Sequence, residues 1–408
     1  MTFLSQGTLV KNDRKQPSSN LLKRLGIFYG GRRCVVSGLD QNSDWHHLDD
    51  NPGNTCFSNL IPLGRDHNNK LEIYRRYQGK EDVWKGYDIE LEPGILLITS
   101  RKHFISGDIG LAYGCSRLAV WMINLYPSLF GKYDRNAYWE LVFQALSCAR
   151  HADSQELIED IIGRDIEKHL ATLNGDKNNV FLIALEFASI LQEYLCISDA
   201  DELFVFIDDK LKKMPYERAD FLSKMMRRIS LSNIIKSNNI AKTIDMLSEA
   251  DKLVLSSSAN LHVGVANARA WLYLAKSNPV KAIDTILPII DNIFGNNGSY
   301  KKEIVTPWNA LESIITYNRA LEMIDTKNNG KAKKSAFEQL KYTLNFFRLK
   351  CIGLRPIAYN LSVSSDGEKS YELSDIYDRF IVQQQNIINK SLYLQIKRIF
   401  SQLVRLMN

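Results

Sequence analysis

Long hydrophobic runs are missing from this chain. The best, LAVWMI at 118–123 and GILLI at 94–98, are a fraction of the roughly 18 residues that a membrane span needs. Paired cysteines are missing too: the six present, at 34, 56, 115, 148, 196 and 351, show no spacing of a disulfide framework. In a long chain that pattern points to reduced thiols and a cytoplasmic setting. The opening MTFLSQGTLVKNDRKQPSSN lacks the basic-then-apolar layout of a secretory leader. Neither sign of charge dominates: 52 Lys/Arg against 46 Asp/Glu give +6, compatible with a nucleic-acid partner and insufficient to establish one. Histidine is scarce, seven in 408 residues, yet His46, His47 and His67 fall within 22 residues of each other.

The rest is the composition of a globular protein, 45% hydrophobic and 24% charged, long enough for two or three domains. Residues 1–19 read as a flexible basic arm. Through residue 35 there are seven Lys/Arg, including Lys11, Arg14, Lys15, Arg32 and Arg33, against Asp13 alone. Two roles are open for the arm, a solvated tail or a grip on phosphates.

Residues 20–31 predict a short helix stopped by Gly30 and Gly31. The β-branched RRCVVSG (32–38) predicts a strand entering a turn, with DWHHLDD (44–50) as its hairpin partner. NPGNTCFSN (51–59) has loop chemistry, and a second helix is expected to begin at Asp66. Residues 81–114 give no clear pattern; His103 there belongs more naturally to a connection than to a site. From about 115 onward, apolar residues at three- and four-residue spacing predict nearly continuous α-helix. KSNNIAKTIDMLSEAD (236–251) and KSNPVKAIDTILPIID (276–291) match at an offset of 40, and resemble tetratricopeptide-like helix-pair repeats. The expected fold class is mainly α: a small module over 20–112, then a large all-helical, solenoid-like region over 113–408.

Two histidines in succession on a strand point to opposite faces. At a strand end, twist or a bulge can turn both toward one pocket with different tasks, one binding a metal and the other free as a base. Downstream lie SNLIPL, with Asn59, and RDHNNKL, with His67 and Asn68.

In this order the residues resemble the HNH endonuclease superfamily, the ββα-metal fold. His47 to Asn59 is 12 residues and Asn59 to Asn68 is nine; CVVSG resembles the family's Cys-x-x-Cys-Gly knuckle, with Ser37 for the second cysteine. The resemblance covers about residues 32–80. It implies a strand-ending metal ligand, His46, followed by a general base, His47, with Asn59 bridging the loop and orienting that base. Imidazole suits the base's work because its unperturbed pKa is about 6.5. The second metal ligand is Asn68 by direct counting, or His67 if one residue has been deleted.

A divalent ion is implied, Mg²⁺ foremost, with Mn²⁺, Zn²⁺ and Ni²⁺ as alternatives according to which of the two ligates. Of the cysteines that hold a structural zinc in many relatives only Cys34 remains, so no structural zinc is expected, and flanking helices must support the module. Arg65, Arg75 and Arg76 flank the expected site as candidate phosphate contacts. Trp45 and Tyr74 read as core, and Asp44, Asp49 and Asp50 as solvated hairpin residues. The resemblance thus implies DNA cleavage. About 290 further residues of helix would bind a protein partner or self-associate and so restrain or target the nuclease, an arrangement suited to anti-phage defence. The competing expectation is a helical-repeat adaptor whose degenerate HNH module binds nucleic acid or protein without cutting. RNA is a further candidate substrate.

Overall fold

A computed structural model of the chain describes residues 16–40, 43–49, 51–76, 89–125, 135–173, 177–194, 259–294, 307–324 and 388–407, with scattered positions between 196 and 252. Among these residues the chain is mainly helical, with twelve α-helices and one two-stranded sheet. No described helix is long and apolar enough to cross a membrane. Most of the basic arm and the repeat segment 236–251 lie outside the described residues.

Helix α1 (Ser19–Tyr29) begins where Ser18 Oγ accepts the Leu21 N–H at 3.2 Å and ends at Gly30, whose φ of +68° suits glycine. It buries Leu25, Phe28 and Tyr29. The strand expected over 32–38 is not there. Cys34 N–H donates to Leu39 O at 3.0 Å and Gly38 N–H to Cys34 O at 2.8 Å, closing a knuckle with Gly38 at φ +70°. Val35 and Val36 are buried in it, so their β-branched pattern reflects packing rather than a ladder.

Strand β1 (Ser43–His47) instead pairs antiparallel with β2 (Leu60–Gly64), His47 opposite Leu60 and Ser43 opposite Gly64. The knuckle joins this sheet through Val35 N–H to Pro62 O at 3.0 Å. A 3₁₀ turn (Phe57–Asn59) feeds β2, and α2 (Arg65–Arg76) succeeds β2 without a linker. The order is helix, knuckle, strand, loop, strand, helix.

The stretch without clear pattern contributes a 3₁₀ turn (Ile89–Leu91), α3 (Pro93–Ile105) and the start of α4 (Ile109–Leu125). Pro93 opens α3, where a missing N–H costs nothing. Almost all of α4 is buried, and it runs through the boundary expected at 112/113. Its glycines explain the contact: a Cβ at Gly110 would lie 2.0 Å from Phe28 O, and one at Gly114 2.4 Å from Val35 Cγ1. Cys115 Sγ adds a hydrogen bond to Val35 O at 2.7 Å. The first long helix of the helical region is therefore the floor under α1 and the knuckle.

Next come α5 (Arg135–His151) and α6 (Gln155–Ile161), the latter capped by Ser154. A π-helical turn (Ile162–Ile166), the single turn α7 (Glu167–His169) and α8 (Lys177–Glu193) come after them. Helices α9 (Ala259–Ala275), α10 (Pro279–Phe294) and α11 (Pro307–Met323) pack on one another. A short turn with Ser277 at φ +53° joins the first two. This is the local arrangement of a helix-pair repeat, and α10 holds most of the 276–291 segment. Last, α12 (Lys390–Met407) packs on α6 and α8, burying Leu392, Ile396, Ile399, Phe400 and Leu403. Asn389 N–H reaches Gln155 Oε1 at 2.7 Å, and Arg398 pairs with Glu167.

Candidate functional site

The site is assembled at the end of β1 by the pleat of the strand. His46 is buried and His47 half-buried; burial along β1 does not alternate strictly, since Ser43 and His46 are both buried and Asp44 is exposed. His46 Nδ1 lies 3.1 Å from Asn68 Oδ1 on the first turn of α2; as a hydrogen bond, the ring N–H donates to the amide oxygen. The Trp121 ring of α4 meets the imidazole edge to face at 5.2 Å. Two donors held about 2.1 Å from a small octahedral cation, at right angles, lie about 3.0 Å apart. The His46–Asn68 spacing fits such an edge. Among the described residues no three His, Cys, Asp or Glu side chains gather closely enough to hold an ion.

His67 is placed elsewhere. Its Nδ1 is 3.4 Å from Cys34 Sγ and its Nε2 2.9 Å from Glu90 Oε2. Of the two candidates for second donor, Asn68 faces His46, and His67 ties the knuckle to α2. Burial pushes the Cys34 thiol up, but hydrogen bonds from His67, from the Ser37 and Gly64 backbone and from the Ser37 hydroxyl outweigh it, giving about 7. The Cys34 hydrogen bond raises His67; burial opposes it, and Glu90 adds to the rise.

Asn59, with no exposed surface, clamps the loop after His47. Its Oδ1 accepts the Asp49 N–H at 3.0 Å, and its Nδ2 donates to Asp49 Oδ1 and to Asn54 O, both at 2.8 Å. Its backbone oxygen accepts the Leu48 N–H at 2.9 Å. Asp49 thus does more than solvate a hairpin. Burial pushes its carboxyl up, but Asn54, Asn59, the Asn51 N–H and Arg164 together hold it below the ordinary carboxylate value.

Arg65 is exposed at the start of α2. Arg75 and Arg76 close that helix, and their side chains lie outside the described residues. Trp45 packs on Tyr29 with ring centroids 6.0 Å apart, and Tyr74 is buried; both serve the core. His103 sits against Gly38, next to the Arg33–Asp108 ion pair at 2.8 Å, so it belongs to the packing of α3 on the knuckle.

Not foreseen from the sequence is a partly buried charge cluster behind the loop. Arg164 Nε binds Asp160 Oδ1 at 2.8 Å, and its Nη1 donates to Asn59 Oδ1 at 3.4 Å. Arg117 of α4 pairs with Asp165 and reaches Asp160 at 3.3 Å; Ser58 also hydrogen-bonds Asp160. Two arginines face two aspartates, so the charges balance. Burial raises the Asp160 carboxyl, and Arg117 and Arg164 oppose it. The local mark of this cluster in the sequence is Gly163 inside DIIGRDI (160–166), an isolated glycine in a helical pattern. Its partner Asn59 is 105 residues away, which no local pattern reveals. Compared with protein-family models, with curated proteins and with solved structures, the chain matches none.

Proposed function

We propose that the chain is a metal-dependent endonuclease of the HNH type that hydrolyses phosphodiester bonds in DNA. The observation that carries this reading is the 3.1 Å approach of His46 to Asn68, with His47 next in the strand and Asn59 clamping the loop beyond it. His46 and Asn68 would hold a divalent ion, Mg²⁺ foremost because an amide oxygen and water complete the donor set. That ion would supply charge stabilisation at the scissile phosphate and the leaving 3′ oxygen. His47 accepts a proton from water as the water oxygen bonds to phosphorus. The P–O3′ bond breaks, and the leaving oxygen takes a proton from solvent. Asn59 acts through the backbone of Leu48 and Asp49, which it holds in place directly after the base. The helical region, in the same reading, restrains or targets cleavage through a protein partner or self-association, as an anti-phage nuclease would require.

Plasmid cleavage in Mg²⁺ or Mn²⁺ tests this. His47→Ala is expected to lose about 10²–10⁴-fold in rate, the usual share of a general base. Asn68→Ala should raise the metal concentration needed for half-maximal rate, and His67→Ala should leave it unchanged. Equal, metal-independent backgrounds in wild type and His47→Ala, even with cell lysate or a partner added, would sink the nuclease reading and favour a binding adaptor.

A further inference from the structure

The Asn59 amide has two donor hydrogens and two acceptor lone pairs to satisfy. Both hydrogens are taken, by Asp49 Oδ1 and Asn54 O, and one lone pair by the Asp49 N–H. The remaining lone pair receives Arg164 Nη1. Asn59 Oδ1 already has a partner in the Asp49 N–H, so what the longer, charge-assisted bond from Arg164 at 3.4 Å adds is a fixed orientation of the amide.

Arg164 is itself held. Its Nε is fixed by Asp160, and Asp160 in turn by Arg117 and Ser58. It is carried by the π-helical turn Ile162–Ile166. Such a turn holds one more residue than an α-turn and re-aims the side chains it carries, and π-turns recur at functional sites. This one sends Arg164 to Asn59 and Asp165 to Arg117.

From this geometry we infer that Arg164, a residue of the helical region, is a positioning residue for the nuclease centre: it locks the Asn59 amide and with it the loop directly behind His47. The helical region then completes the centre as well as adjoining it. The inference rests on the nuclease reading for its catalytic consequence, and on hydrogen bonding alone for the lock.

The test compares full-length wild type, Arg164→Ala, Arg164→Gln and Arg164→Lys. In plasmid cleavage, Arg164→Ala should lower kcat by about tenfold or more, the scale on which misplacing a catalytic base costs rate. KM for DNA should stay within about twofold, since no transition-state-independent binding is removed. Arg164→Lys, which keeps a charged donor, should recover most of the rate. If Arg164→Ala does not fold, Arg164→Gln carries the same comparison.

Hydrogen–deuterium exchange over residues 48–59 reads the lock without activity. It should speed up in Arg164→Ala and Arg164→Gln while exchange in α5 stays as in wild type. A raised KM with unchanged kcat would overturn the inference in favour of a phosphate grip, and unchanged exchange over 48–59 would overturn the lock itself. If the wild type cleaves nothing, the nuclease reading fails by its own assay, and the exchange measurement decides whether Arg164 anchors the loop.

Discussion

At the scale of single residues, Asp49 has the clearest dependence on acid. Its folded carboxyl binds its proton less readily than an unfolded one, because Asn54, Asn59, the Asn51 N–H and Arg164 outweigh burial. A carboxylate with a lowered folded value adds stability that is complete above its unfolded value, about 3.9, and is lost as pH falls through the folded one. The stability gap between wild type and Asp49→Asn, measured by urea unfolding, should therefore shrink as pH falls from about 5 to about 2. A gap that stays constant would mean that the carboxylate's charge contributes nothing. Asp49 was hidden in the sequence because an acidic LDD run looks alike whether its partners are water or buried amides. That His46 and Asn68 meet was legible for the opposite reason: strand-to-helix spacing is set by backbone geometry, and their separation could be counted. The same counting left His67 open as a ligand, since a one-residue shift on the first turn of a helix changes the partner completely.

Among the elements, helices were legible and the knuckle was not. Three- and four-residue apolar spacing marks a helix wherever it buries one side, and α1 and α2 stand close to where that spacing put them. CVVSG carries the β-branched content of a strand, but its backbone closes on itself through Cys34, Leu39 and Gly38, and residue type alone does not show such closure. The role of α4 was likewise invisible, because glycines in a helix signal close approach without naming the neighbour. Gly110→Ala should destabilise the protein by at least about 1–3 kcal/mol, the usual cost of overpacking, since the added methyl meets the Phe28 carbonyl rather than a side chain that could move. Gly26→Ala, inside α1 with nothing within 4 Å of the new methyl, should instead gain up to about 1 kcal/mol from helix propensity. Chemical denaturation of the two variants gives opposite signs if close approach is the cause; a shared sign would refute it.

For the whole molecule, the change to a helical pattern near residue 115 was legible, whereas the joint between those helices and the sheet was not. It is made by α4, by the Arg117–Asp160–Arg164 cluster and, one layer further out, by α12. That last helix touches both flanks of the π turn, through Gln155 before it and Glu167 after it. Ile396→Ala, fully buried on α12, should cost about 2–5 kcal/mol as a cavity in packed apolar surface and speed hydrogen exchange over residues 155–166. Arg398→Ala, at an exposed ion pair, should cost less than about 1 kcal/mol; a larger loss there would shift the weight of the joint from packing to charge. Translation gives this layout a temporal meaning. Residue 47 leaves the ribosome before residue 164, so if the proposed lock on Asn59 operates, the loop behind His47 stays without its brace until the π-helical turn has been made.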